Sequence, residues 1–369
     1  MSKSFNFLFL AFCALLPAYL WAENRPGFYN AEQTNFKIEK YAVSVRYENG
    51  QSDTKRISID GLGTKHIHRG ETTGNNTSIA FSTPHLNRIS LGASFSQSNA
   101  NASAWIEGAA SSSISTSSNH TESTSLGISY LVNNDFLING TLSQDVGSAA
   151  HQTQRRFGLQ FMNNLNKNIS ISGRIGGLFD EEIVNNGVKD VGVSVGYTSS
   201  SSTYDMHAYV DIHNATIISR SYTSGNPIAS EEKYRGIAMG GAFFVRNERS
   251  RIGLIGNYVA TDRPGRPRNF TIGPRYIFTA PDFEITLSAS HRINSSENVE
   301  TSRGTVEYDD AITNELMVGL AKDFSNDLFL QASIKKYWNK ADVNDLGNVV
   351  RTSSESNNLS FNLTLTKQF

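Results

Sequence analysis

A chain of 369 residues with 33 Lys+Arg against 34 Asp+Glu has a formal charge of −1, which excludes a basic nucleic-acid scaffold and an acidic tail protein. Charged residues make up 18% and hydrophobic ones 38%, and much of the remainder is Ser, Thr, Asn and Gly at a mean hydropathy of −0.35. Aromatics at 10% are too many for a disordered chain and charged helix formers too few for a bundle, so the composition points to a β-rich protein.

The first 22 residues set the compartment. Lys3 precedes an apolar run from Phe5 to Trp21 that ends on small Ala22, the pattern of a secretory signal cleaved near Ala22. Pro17 breaks the run and polar Glu23-Asn24-Arg25 follows, which argues against a retained anchor. The single cysteine, Cys13, leaves with this segment, and bulky Phe12 before it speaks against lipidation. The mature chain therefore forms no disulfide and no thiolate metal site. Residues 23–38 read as a short polar leader, and residues 39–369 as one domain.

Within that domain apolar residues recur with period 2. The rows are Tyr41/Val43/Val45/Tyr47, Ile89/Leu91/Ala93/Phe95, Leu126/Ile128/Tyr130, Phe157/Leu159/Phe161, Val191/Val193/Val195/Tyr197 and Tyr204/Met206/Ala208/Val210/Ile212. Ile252/Leu254/Gly256/Tyr258, Phe283/Ile285/Leu287/Ala289, Leu316/Val318/Leu320 and Leu328/Leu330/Ala332/Ile334 continue them. Each row fits a strand of about ten residues, long enough to cross a bilayer at a tilt near 45°. Short polar connectors recur at residues 83–88, 132–134, 163–168, 198–203, 246–251, 279–282 and 322–327, and longer polar segments alternate with them at 99–121, 219–232, 294–311 and 339–357. Residues 99–121 read as a mobile loop. Arg56 to Gly63 and Ala102 to Ser113 are extra strands or folded parts of loops. Tyr130, Phe136, Phe161, Tyr197, Tyr204, Tyr276, Phe278 and Phe283 cluster beside the short turns as an aromatic girdle.

The chain ends in Leu359, Phe361, Leu363 and Leu365, alternating with polar residues and followed by terminal Phe369. A final amphipathic strand closing on an aromatic resembles the assembly signal of Gram-negative outer-membrane β-barrel proteins, although Lys367 departs from the usual apolar residue. The resemblance covers residues 39–369 at the level of the class. It implies an all-β, antiparallel transmembrane up-and-down barrel of about sixteen strands, within roughly twelve to eighteen, with short turns in the periplasm and long loops outside. It also implies an outer-membrane location. The expected partners are outer-membrane lipid, the barrel assembly machinery, small polar solutes and further copies of the chain, with no cofactor, metal or nucleic acid. The leader is then periplasmic or lumenal, too short for a receptor plug. The acidic constriction-loop signature of trimeric porins is not seen, and Asp180-Glu181-Glu182 is the nearest acidic cluster.

If the apolar rows face lipid, parity assigns the lumen. Ser90, Gly92, Ser94 and Ser96, with Ser360, Asn362, Thr364 and Thr366, give a neutral polar wall. Arg46, Arg156, Arg174, Arg275, Arg292 and Lys335 face inward against Asp190, Asp205, Asp211, Glu284 and Glu315. The most unusual constellation is Asp205, His207, Tyr209, Asp211 and His213, stacked on one strand face about 6.6 Å apart. Gly192, Ser194 and Gly196 lie on one side of it and Gly236, Ala238, Gly240 and Ala242 on the other. The column is either a protruding constriction or ligand site, or ordinary packing of large residues against small, its charges paired across strands.

Catalysis has little support. Asp211-Ile212-His213 has the Asp/His spacing of omptin-type proteases, but no second acidic pair is evident, since Asp309 and Asp310 are adjacent. No outward-facing histidine is found on a clear strand, which argues against the lipid-facing Ser/His/Asn site of outer-membrane phospholipases. His66 and His68 lack a third metal ligand by spacing. The expected function is a porin-like channel for passive diffusion of small polar solutes. A barrel that binds an external partner through its loops, as an adhesin, receptor or solitary autotransporter-like barrel, is the alternative, and a barrel hydrolase is third.

Overall fold

The computed structural model describes residues 39–107, 114–147, 152–179, 187–223, 226–262, 268–296, 298–301, 304–324, 327–345 and 350–369. The signal segment, the leader and Asp180-Glu181-Glu182 lie outside these. Every period-2 row becomes a strand. The first half of the chain gives β1 (Ala42–Ile59), β2 (Lys65–Ser82), β3 (Ile89–Ile106), β4 (Ser115–Asn133), β5 (Phe136–Gly147), β6 (Gln152–Asn164), β7 (Ile169–Phe179), β8 (Gly187–Ser200) and β9 (Tyr204–Thr223). The second half gives β10 (Asn226–Arg246), β11 (Ser250–Thr261), β12 (Arg268–Thr279), β13 (Phe283–Ser295), β14 (Val299–Thr301), β15 (Gly304–Tyr308), β16 (Ala311–Phe324), β17 (Leu328–Asp345) and β18 (Val350–Gln368). Among the described residues there is no helix.

Each strand pairs antiparallel with its neighbours, β13 pairs β16 directly, and β1 pairs β18 from Ala42↔Gln368 to Ile59↔Arg351. The sheet therefore closes into a sixteen-stranded barrel, with β14 and β15 as a small hairpin leaning on β17 through Val306↔Asp345. Closure leaves no edge within the wall, so backbone groups are satisfied in a medium that offers no hydrogen bonds. All seven short connectors lie where the turn chemistry places them. Asn87 and Arg88 take φ of 50° and 74° in one, and Asp327 a φ of 58° in another. Lys40 donates to Asp327 at 2.6 Å beside the seam, and this bond holds the Asp327 carboxyl below its ordinary pKa. Phe369 N donates to Tyr41 O at 3.0 Å, tying the terminal residue to the opening strand.

One expectation needs correction. Residues 99–106 and 115–121 are a paired extension of β3 and β4, in register from Asn99↔His120 to Ala104↔Ser115, rather than a mobile loop. Serine and asparagine alternating on both faces hide such a strand, because no apolar row marks it. Of the two segments whose reading stood open, Arg56 to Ile59 ends β1 and Ala102 to Ile106 ends β3, in keeping with the sixteen strands expected, while residues 108–113 lie outside the described residues. The external β1–β2 turn is held by Asp60, whose carboxylate accepts the N–H groups of Thr64 at 2.8 Å and Leu62 at 3.0 Å; the Thr64 bond chiefly lowers its pKa.

The apolar rows face away from the barrel axis. Leu91, Leu126, Leu142, Val193, Ile212, Ile252, Leu254 and Ile334 are all about half exposed or more. A double layer in water would bury these rows. Instead, the buried hydrophobic side chains among the described residues are Leu131, Leu137, Leu178, Ala242, Phe244 and Ile277, which lie on the inner face. The girdle aromatics Tyr130, Phe161, Tyr197, Tyr204 and Tyr276 are exposed beside the short turns. Tyr204 stacks on Phe243 and Phe278 packs against Phe283 there.

Candidate functional site

On the inner face, strands β18 and β1 to β4 form one sector of small polar groups. Ser94 and Ser125 share a hydroxyl bond at 2.7 Å, and Ser44 and Thr366 one at 3.1 Å. Half the circumference away, β7 to β13 hold most of the inward charge. Strand packing runs between ladder neighbours, and no described segment packs extensively across the lumen.

The Asp/His column sits on β9 with its intended parity. Arg174 of β7 reaches over β8 and grips Asp211 with both terminal nitrogens, at 2.7 and 3.2 Å, while its Nε donates to Asp190 at 3.1 Å. His213 Nδ1 lies 2.9 Å from the same Asp211 carboxylate. Tyr209 donates its hydroxyl to Asn257 Oδ1 at 3.0 Å, and its ring lies 6.0 Å from that of His207. Asp205 accepts from Ser200 at 2.7 Å and pairs with Arg246 at 3.3 Å. The Asp211 carboxylate thus joins Arg174 and His213 in one network.

Four planar groups lie against the glycine paired with each on the next strand. Arg174 covers Gly192, where an added Cβ would come within 2.8 Å of the guanidinium carbon; Tyr209 covers Gly240, with its ring carbon at 2.9 Å. His213 covers Gly236 and Phe244 covers Gly253 in the same way. Large side chains thus face glycines across β8 to β11. Gly236→Ala would drive a methyl into the His213 imidazole, whose Cε1 would stand 2.6 Å away. The imidazole is then expected to swing into the lumen, lowering single-channel conductance in planar bilayers while heat-modifiable migration of the folded barrel is retained.

The remaining charged residues are spread round the wall and do not join the column. Arg156 on β6 bonds Gln154 at 2.8 Å and lies 3.8 Å from Asp145. Arg292 on β13 donates to Thr271 at 3.2 Å. Arg275 on β12 sits between Gly253 and Ser288, and Lys335 on β17 between Met317 and Ser360. Sequence parity missed a second arch, Arg251 to Glu284 at 3.0 Å, which crosses β12 above Ile277, itself 0% exposed. It also missed His291, which faces outward on β13 and bonds Asn314 at 2.8 Å. Among the described residues no serine or threonine hydroxyl bonds either of that pair, and no cluster of three or more His, Cys, Asp or Glu could hold a metal.

A closed antiparallel barrel with an outward apolar band and a polar interior is a transmembrane β-barrel of the outer-membrane type. No family model and no curated protein matches the chain. Among solved structures, a bacterial polysaccharide outer membrane secretin aligns at TM-score 0.49 with 11% identity, over 89% of this chain and 98% of that one. A Pseudomonas aeruginosa FadL homologue aligns at 0.46 with 9% identity over 89% and 90%, and Pseudomonas aeruginosa OccK8 (OprE) at 0.43 with 12% over 89% and 99%.

Proposed function

We propose that the protein is a porin-like channel of the Gram-negative outer membrane through which small polar solutes diffuse passively. The observation that carries this reading is a sixteen-stranded closed wall, lined inside by hydroxyls, amides and charged groups, across which no described segment packs extensively. Barrels of this strand number leave an aqueous channel where smaller ones fill with side chains. In this reading Asp205, His207, Tyr209, Asp211 and His213, with Arg156, Arg174, Arg275, Arg292 and Lys335, set the steric and electrostatic profile met by a solute. Phe361, Leu363, Leu365 and Phe369 serve as the assembly signal, and the chain performs no catalysis.

Purified folded protein in planar bilayers is expected to give stepwise ohmic current, and its liposomes to swell in small polar solutes. Repeated insertions without current would remove the channel reading. A second reading, external partner binding, is favoured by the extensions of β1 to β4, β9, β10, β17 and β18, which run 18 to 21 residues against 11 to 14 for β5 to β8 and β11 to β13. Shortening the β3–β4 extension would then abolish partner binding and leave conductance intact.

A further inference from the structure

We infer that the lipid-facing surface of β13, β16 and β17 holds the phosphate of a lipopolysaccharide-class glycolipid from the external leaflet. The inference goes beyond the channel reading and uses the opposite face of the wall. Its basis is a break in the apolar rows. On β17 the outward row runs Leu328, Leu330, Ala332 and Ile334 and then turns to Lys336 and Trp338. Asn314 on β16 stands opposite Trp338, and His291 on β13 opposite Asn314, all on the outer face. Lys336 lies eight residues past Leu328, a rise of about 20 Å at the tilt of a transmembrane strand, inside an apolar band about 25 Å tall. Ile293 and Ile312 pair with each other above His291 and Asn314 and also face out, so the polar group lies within the band.

A cation at this depth is costly until something neutralises it. Lys336 is exposed between Leu316 and Leu359, and among the described residues no carboxylate lies within ion-pair distance of it. Its ammonium sits 5.2 Å from the centroid of the Trp338 ring, drawn toward the headgroups. Other lysines of the outer face differ. Lys322 also lies 5.2 Å over a ring, that of Phe324 near the periplasm, but has Asp282 at 3.9 Å, and Lys340 has Asp342 at 3.7 Å. His291 donates from Nδ1 to Asn314 Oδ1 at 2.8 Å, which leaves the Asn314 amide nitrogen and its two N–H groups for a further acceptor. Asn314 and Lys336 are diagonal neighbours, about 7–8 Å apart at Cβ, a span that one phosphate bridges. Charge selects the occupant. A second copy packed on this face about a two-fold axis would set Lys336 against Lys336 in a medium that solvates neither. A phosphate supplies the negative charge and the acceptor oxygens, and acyl chains joined to it would cover Leu316 and Leu359.

The test is native mass spectrometry of the folded full chain in detergent. The probes are lipid A with two phosphates, lipid A with both removed, phosphatidylglycerol and inorganic phosphate. One molecule of the bisphosphorylated lipid is expected to bind saturably, at least about tenfold tighter than the other three. Lys336→Gln should weaken it about tenfold, and Lys336→Arg, which keeps the charge, less than about twofold. Lys322→Gln, the lysine-on-ring contact at the periplasmic end, should leave it unchanged. Each variant is checked for folding by heat-modifiable migration. Equal binding of the dephosphorylated lipid, phosphatidylglycerol or inorganic phosphate would overturn the site, as would an unchanged affinity in Lys336→Gln or an equal loss in Lys322→Gln. A dimer without bound lipid that Lys336→Gln dissolves would give the face to a second copy instead. Conductance of Lys336→Gln should match that of the unaltered chain, because the residue faces away from the lumen. A barrel that binds lipid A but passes no current would therefore keep the site and remove the channel.

Discussion

Leu287→Arg is expected to destabilise the folded barrel by about 2–4 kcal/mol in lipid vesicles, whereas Ser96→Arg should cost less than about 1 kcal/mol. Leu287 is the middle residue of the outward row Phe283/Ile285/Leu287/Ala289/His291 on β13, between Tyr276 of β12 and Val318 of β16, and is 44% exposed. An arginine there would be solvated by acyl chains alone, and its reach to the headgroups is longest from the middle of the band. Ser96 faces the other way, between Ser78 and Ser123, where water reaches a long cationic side chain. Urea titration in vesicles, read by heat-modifiable migration, measures both. The opposite ranking would mean that the apolar rows meet protein rather than lipid, and the barrel's orientation in a membrane would fall with it.

The wall was legible in the sequence wherever one face is apolar and the other polar. Val191, Val193 and Val195 alternating with Gly192, Ser194 and Gly196 fix both strand and facing, since a slip of one residue would invert every side chain. Legibility failed where both faces share a character. Serine and asparagine above residue 98 hid the extension of β3, and the run Ala242-Phe243-Phe244-Val245 hid that Phe244 turns inward while Phe243 faces out. Ile277 between Tyr276 and Phe278 is concealed for the same reason. The partners of the lumenal charges were hidden differently. Parity says that Arg174 and Asp211 point inward, but the ion pair skips a strand, and only the glycine at position 192 lets the guanidinium lie low enough to cross it. That glycine was visible as a small neighbour; its use as a seat depends on register, which composition does not reveal.

Arg174→Gln is expected to shift the channel toward cations. The substitution leaves Asp190 and Asp211 facing each other with His213 alone nearby, so the lumen wall loses one positive charge. A unit charge about 7 Å from a permeating ion in water is worth about 0.6 kcal/mol, of opposite sign for cation and anion, so the cation-to-anion permeability ratio is expected to change by up to about eightfold. The reversal potential across a KCl gradient reads this directly. The effect should be clear near 0.1 M salt and fade toward 1 M as the screening length shrinks from about 10 Å to about 3 Å. Stability should fall as well, because Asp211 has only 12% of its side chain exposed and would keep its charge without the bidentate partner. Breaking a buried pair costs about 3–5 kcal/mol; Arg174 is 33% exposed to lumenal water, so about 1–3 kcal/mol is expected. Pairing Arg174→Gln with Asp211→Asn should restore most of both losses, since the orphaned charge goes with its partner. If Arg174→Gln moved neither the reversal potential nor the urea midpoint, the network would stand apart from both the conduction path and the packing of the wall.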